Sequence, residues 1–285
     1  MEYLMTYGWA ILIIAVVLGA LFSLGVFNGA NFAPKAPPGA CQVFRPNGPG
    51  STSFINLEGV CSGELPEYVA QFIGSPGSVS ISNPLLPSGQ APRTATLWFV
   101  YPGTDGTIFT WTTALDVCGP FNLGGFNSGG LAGAFIHMCS NDFASLLTFN
   151  VNAWNFVAVT FYNVSGTYYV NVSINGGPPA QQNRGTTGLL RGGSPPQFNI
   201  GGWDDYWPTT NGDMSNVQVY NTSLSPTDIK ALYMEGIGGA PIDLQNLVGW
   251  WPLNGNAQDY SGNGNNGQAT NVIYTSSWTN GYTTP

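Results

Sequence analysis

The residues best spaced for chemistry lie in the second half of this chain. The stretch WDDYW, Trp203 to Trp207, sets Asp204 and Asp205 among Trp203, Tyr206 and Trp207. Aromatic faces stack on a pyranose ring and carboxylates accept its hydroxyls, so this composition suits sugar contact. Aromatics exposed together mark an interaction site. Asp213 and Asp259, the latter within DYSGNGNNG, add hard oxygen donors. With Asp204 and Asp205 they form a candidate calcium set, in which loop carbonyls would help supply the about six to eight ligands that ion takes. Asp259 has a simpler role open to it, because Asp readily caps a turn through its own backbone. No segment matches a defined calcium loop such as an EF-hand.

Groups for catalysis are scarce. His137, the single histidine, sits in GAFIHMCS beside Cys139 on an expected strand, with no Ser or Cys nucleophile motif around it. It reads as a packed structural residue rather than a base. Glu64 and Glu67 fall in a Pro-containing loop and are expected to be solvated. The chain is therefore expected not to be an enzyme and to require no cofactor, a structural calcium aside.

Charge is sparse, with 6 basic and 14 acidic residues and a net charge of −8. No basic cluster occurs, which excludes phosphate-backbone binding. The four cysteines form two local pairs, Cys41 with Cys61 and Cys118 with Cys139. An even count behind an apolar N-terminus suggests disulfides in an oxidising exterior, and these local pairs are the expected connectivity among the three that four cysteines allow. A zinc site is the weaker reading, since no C-x-x-C spacing appears. Asn163, Asn171 and Asn221 open N-x-S/T triplets and are candidate glycosylation acceptors.

The elements that must position these residues are mostly strands. SVSIS, TATLWFVY, TIFTWTT, NFVAVTFY, YYVNVSIN and SNVQVY alternate with period two and are broken by Gly, Pro and Asn, which argues for an all-β sandwich or barrel. Trp154, Phe156, Val157, Val159 and Phe161 are expected to fill a core between sheets, and Asn175-Gly176 to make a tight turn. One helix is expected over Ser225 to Gly236, with Ser225 as N-cap, Pro226 in the first turn, Asp228 near the N-terminus and Gly236 at its end. The N-terminus differs. From Trp9 to Phe27 no residue is charged, long enough for a helix to span a hydrocarbon core. Ala15, Gly19 and Ser23 recur every fourth residue and would let helices approach closely. Glu2, the one acid of that region, would need a cationic partner there.

The run EYLMTYGWAILIIAVVLGA, Glu2 to Ala20, resembles the N-terminal helix of archaeal type IV pilins. That resemblance implies a helix that waits in the cytoplasmic membrane and then packs with copies of itself, Glu2 pairing with a neighbouring subunit. The stretches NAWNFVAVTFYNVSGTYYVNVSINGG and FNIGGWDD followed by NGDMSNVQVYNTSLSPTDIKALYMEG resemble the laminin-G-like, concanavalin A-like jelly roll. LVGWWPLNGNAQDYSGNGNNG resembles the opening of such a domain yet comes near the end of this chain, so either the domain is circularly permuted or a second, truncated one begins there. Permutation is favoured, because the termini of compact domains often lie close together. The jelly-roll resemblance also implies a structural calcium near the rim. Glycosidases of this architecture carry an E-x-D-x-x-E strand motif that is absent here.

The expected organisation is a long apolar N-terminal helix over 1–32, a Pro/Gly linker and disulfide-bearing neck over 33–74, and a mainly β jelly-roll head over 75–285. The expected function is a structural subunit of an extracellular pilus-like filament, a helical homopolymer displaying a lectin-like head for adhesion to cell-surface glycans. The alternative is a membrane-anchored surface lectin that never polymerises.

Overall fold

The computed structural model describes residues 13–17, 43–46, 52–55, 65–74, 77–83, 86–113, 121–128, 131–137, 142–186, 196–202 and 211–285. The strands are β1 Val43–Pro46, β2 Thr52–Ile55, β3 Val69–Phe72, β4 Ser78–Ser82, β5 Arg93–Val100, β6 Gly106–Thr113, β7 Phe121–Ser128, β8 Leu131–His137, β9 Phe143–Thr148, β10 Trp154–Val164, β11 Thr167–Ile174, β12 Ala180–Gly185, β13 Pro196–Gly201, β14 Asp213–Tyr220, β15 Leu247–Trp251, β16 Gln268–Thr270 and β17 Val272–Thr275. β1 and β2 pair with each other. The others build two antiparallel sheets. One runs β12-β11-β10-β5-β14-β3-β17, with β15 also on β14, and the other runs β16-β4-β13-β6-β7-β8-β9. Alternation explains the sandwich: Val79 and Ile81 of β4, Ala95, Leu97 and Phe99 of β5, and Phe198 and Ile200 of β13 all enter the core between the sheets.

The hairpin β10–β11 corrects one expectation. Val157, Val159 and Phe161 do fill the inter-sheet core. Trp154 and Phe156 belong to a second cluster, with Trp98, Tyr220, Ile229, Leu232 and Trp250. Successive side chains leave a strand on opposite faces, so these five residues of one strand cannot share one core. The second cluster exists because the helix Pro226–Met234 covers the outer face of the eight-stranded sheet, where Tyr233 stacks on Trp98 at 5.7 Å between centroids. That helix starts as expected. The Ser225 hydroxyl accepts from the Asp228 amide at 3.2 Å. The Asp228 carboxylate accepts in turn from the Ser225 amide at 3.1 Å, so each residue satisfies a donor the helix would otherwise leave open. Asn175 takes a φ of 50° and Gly176 a φ of 65°, the positive-φ backbone that a tight hairpin turn demands.

The C-terminal segment supplies strands to both sheets: β15 pairs with β14, β16 with β4 and β17 with β3. One edge of β14 is divided. Its first residues, Asp213 and Met214, pair with β3, while Val217 to Tyr220 pair with β15. Between them Asn216 has a φ of 50°, a left-handed conformation that Asn tolerates. Its side-chain carbonyl accepts from the Trp250 indole at 2.7 Å and the Gln218 amide at 3.0 Å, which ties the second cluster together.

Among the described residues the expected long N-terminal helix is not found. The described helical residues in that region are 13–17, and among the described residues no helix is long and apolar enough to cross a membrane. Ile13, Ile14, Val16 and Val17 are all at least half exposed there. The physical reason is that short helices in water draw most of their stability from tertiary packing, and β-branched residues lower the intrinsic propensity further. Ala15 of the small-residue stripe is exposed too; Glu2, Gly19 and Ser23 lie outside the described residues.

Candidate functional site

β4, β13 and β6 send their apolar residues inward, so their polar residues face the other way. Antiparallel register then aligns those residues across strands. Gln268 of β16 sits opposite Ser80 of β4, and Ser80 opposite Asn199 of β13. Asn199 faces Thr110 of β6, and the backbone register continues to Asn122 of β7 and His137 of β8, whose side chains lie outside the described ones. Directly paired residues share a sheet face, so one polar row crosses β16, β4, β13 and β6. A parallel row runs through Ser82 and Gln197, and another through Thr270, Ser78 and Gly201.

The chemistry of this face is uniform. Ser80, Ser82 and Gln268 are exposed and Gln197 is half-buried, while Asn199 and Thr110 are buried. The Asn199 amide donates to the Thr110 hydroxyl at 3.2 Å, which orients both. Hydroxyls and carboxamides each donate and accept, the pairing pattern that a polyhydroxyl ligand requires. The three rows contain no carboxylate and no Lys or Arg. The alternation in SVSIS and QFNIG was readable from the chain; which strands would lie side by side was not.

The expected site residues separate into several places. Trp203, Asp204, Asp205, Tyr206 and Trp207 lie outside the described residues, as do Cys41, Cys61, Cys118 and Cys139. Asp213 and Asp259, the other two calcium candidates, have different partners. Asp213 on β14 accepts from the Gln71 amide at 3.1 Å. Asp259 is fully buried and spends both carboxylate oxygens on protein donors: the amides of Trp250, Ser261 and Asn265 at 2.8 to 2.9 Å, and the Ser261 hydroxyl at 2.9 Å. That is the turn-capping role, and it consumes the lone pairs a cation would need. Among the described residues no group of three or more His, Cys, Asp or Glu could hold a metal.

Burial holds the Asp213 carboxyl above its ordinary pKa, with the Gln71 hydrogen bond partly opposing it. A carboxyl whose folded pKa is raised costs stability above that pKa, and the cost disappears as pH falls below its unfolded value. Asp213→Asn keeps an acceptor for Gln71 and removes the half-buried charge. It is expected to raise Tm at neutral pH and to leave it unchanged in acid below the ordinary carboxylate range. A lower Tm at neutral pH would show that the charge is wanted there, as a cation ligand is.

Of the glycosylation candidates, Asn163 and Asn221 are exposed. Asn171 is half-buried in β11, its amide 3.5 Å from the Tyr162 hydroxyl, and Ser173 of the same triplet is buried with its hydroxyl donating to the Gly177 carbonyl at 2.6 Å.

A family model described as Laminin_G_3, the concanavalin A-like lectin/glucanases superfamily, matches residues 74–230. The chain is similar in structure to a heptameric SAP-like pentraxin from Limulus polyphemus, at 15% identity and TM-score 0.53, covering 73% of this chain and 94% of that one. It is also similar to a putative carbohydrate binding protein from Bacteroides ovatus, at 18% identity and TM-score 0.56, covering 79% of this chain and 66% of that one. No curated protein matches the chain.

Proposed function

This chain belongs to the concanavalin A-like lectin/glucanases superfamily, and from that premise we propose that it binds neutral glycans on the outer face of the seven-stranded sheet. The observation that carries the reading is the uncharged exposed group Gln268, Ser80 and Ser82 with half-buried Gln197, aligned in register with the buried, mutually hydrogen-bonded Asn199 and Thr110. Glycosidic cleavage needs two carboxyl groups flanking the scissile bond, and the three rows supply none, so the proposed role is recognition rather than hydrolysis. The name of the Bacteroides ovatus protein points the same way.

The test is an exposed substitution that blocks the face without touching the core. Ser80→Arg is expected to weaken binding of soluble neutral oligosaccharides by at least about tenfold, about 1.4 kcal/mol, with Tm unchanged. Titration calorimetry against cello-, xylo-, manno- and malto-oligosaccharides reads it. Equal affinity in wild type and Ser80→Arg would remove this face as the site.

A second reading, on the charge-free run Trp9 to Phe27, is that copies of the chain assemble through that segment into an extracellular filament and display the sandwich outward. Electron microscopy of purified material decides it, with filaments supporting assembly and dispersed single copies opposing it.

A further inference from the structure

The helix Pro226–Met234 covers only part of the outer face of the eight-stranded sheet. Its Tyr233 reaches Trp98 on β5 and Phe156 on β10. Further along, the face ends at edge strand β12 and carries a different group. Tyr162 pairs in register with Tyr169, and Tyr169 with Asn183; Asn171 pairs with Gln181. The two tyrosine rings stack at 5.4 Å between centroids and 21° between planes. The Tyr162 hydroxyl accepts from the Gln181 amide at 2.7 Å and lies 3.5 Å from the Asn171 amide. Gln181 and Asn183 are exposed, and Tyr162, Tyr169 and Asn171 half-buried.

A cross-strand aromatic pair by itself stabilises a hairpin. It does not account for Asn171, whose side-chain carbonyl oxygen is buried with no hydrogen-bond partner. Such an orphaned acceptor is costly, and native structures hold few of them. The adjacent Gln181 side chain is exposed and held at Tyr162 by one hydrogen bond. If it swings out, a ligand hydroxyl can donate to Asn171 and accept from Gln181, while the ring pair offers an apolar platform.

The geometry points to a second binding surface for a neutral oligosaccharide at this end of the eight-stranded sheet, on the opposite side of the sandwich from the proposed row. The occupant follows from the chemistry. None of the five residues is charged, so an ionic partner gains nothing here. An orphaned acceptor, an exposed carboxamide and stacked rings together match a ring with hydroxyl edges and a C–H face. Two sites on opposite sheets would let one molecule bridge two glycan chains, with the gain in avidity that bivalence brings. This surface stands apart from the proposed function, since each site can exist without the other.

The experiment uses the full chain with ring-labelled tyrosine, titrated with cellohexaose, xylohexaose, mannohexaose and maltohexaose. The signals of Tyr162 and Tyr169, assigned with Tyr162→Phe and Tyr169→Phe, are expected to shift with at least one of these sugars. They should shift equally in the Ser80→Arg protein, which separates the two sites. Gln181→Ala, on the exposed edge, is expected to weaken that response by about threefold, and Tyr169→Ala by about tenfold. Rings that stay still with every sugar overturn the inference, whether or not Ser80→Arg abolishes binding elsewhere. Ring shifts that follow protein concentration instead of sugar also overturn it, because the occupant is then a second copy of the chain.

Discussion

Asp259→Ala is expected to cost about 4 kcal/mol or more of folding stability, a fall in Tm of roughly 10 °C. The carboxylate is fully buried and accepts from the amides of Trp250, Ser261 and Asn265 and from the Ser261 hydroxyl. It therefore ties strand β15 to the loop that follows. Removing it strands three amide donors, and a buried donor left unmade costs about 1 to 3 kcal/mol. Asp259→Asn should fall between, at about 2 kcal/mol, because one oxygen survives and the other becomes a donor facing donors. The loss has a wider reach, since β15 holds Trp250 and Trp251 in two different clusters. Thermal unfolding with added calcium, and again with a chelator, completes the measurement. The wild-type Tm should not move. A chelator that lowered it as far as the Asp259→Ala substitution does would show that a cation, rather than the four protein donors, is what this carboxylate serves.

The second large effect is expected at Arg93, at the start of β5. Its side chain is 3% exposed. The guanidinium donates to the carbonyls of Pro87, Gly89 and Ala91, and it lies over Trp111 at 5.0 Å and Phe161 at 5.3 Å. Trp111 belongs to β6 and Phe161 to β10, so one cation pins a loop and sits between a ring from each sheet. Burial lowers its pKa to about 10, well below the ordinary guanidinium value. The sign is opposite to that of a base that gains a partner. The buried charge is penalised at neutral pH, and the penalty is relieved only as pH rises above about 10 toward the ordinary guanidinium range. The guanidinium is retained because three charge-assisted hydrogen bonds, about 1.5 to 3 kcal/mol each, outweigh that penalty. Arg93→Ala is expected to cost about 4 kcal/mol, since it adds a cavity. Arg93→Met keeps most of the volume and should still cost about 2 kcal/mol. Arg93→Lys should resemble Met, because a point charge cannot make the planar fork's three contacts. Chemical denaturation with all three variants decides it. An Arg93→Met protein as stable as wild type would mean that the cation merely fills space.

Much of the sandwich was legible because local chemistry dictates it. The hairpin Trp154 to Ile174 has β-branched and aromatic residues in period two, and Asn175-Gly176 supports a turn that other residues would strain. The helix after Ser225 was equally readable, because its N-cap, Pro226 and Asp228 all act within one turn. The N-terminal run misled for the converse reason. Apolar composition states what a segment would bury, while a helix at that length also needs something to pack against. Ile13, Ile14, Val16 and Val17 are exposed.

Strand class, alternation, caps and turns were all written into the chain, because interactions within a few residues set them. Three other features waited on the assembled sandwich. Trp154 and Phe156 serve a different core from Val157. Asp259 is consumed by its own loop and the neighbouring strand. Gln268, Ser80, Asn199 and Thr110 stand in one line. The cause is register: strands far apart in the chain meet side by side, and sliding one by a single residue would turn its polar face into the core.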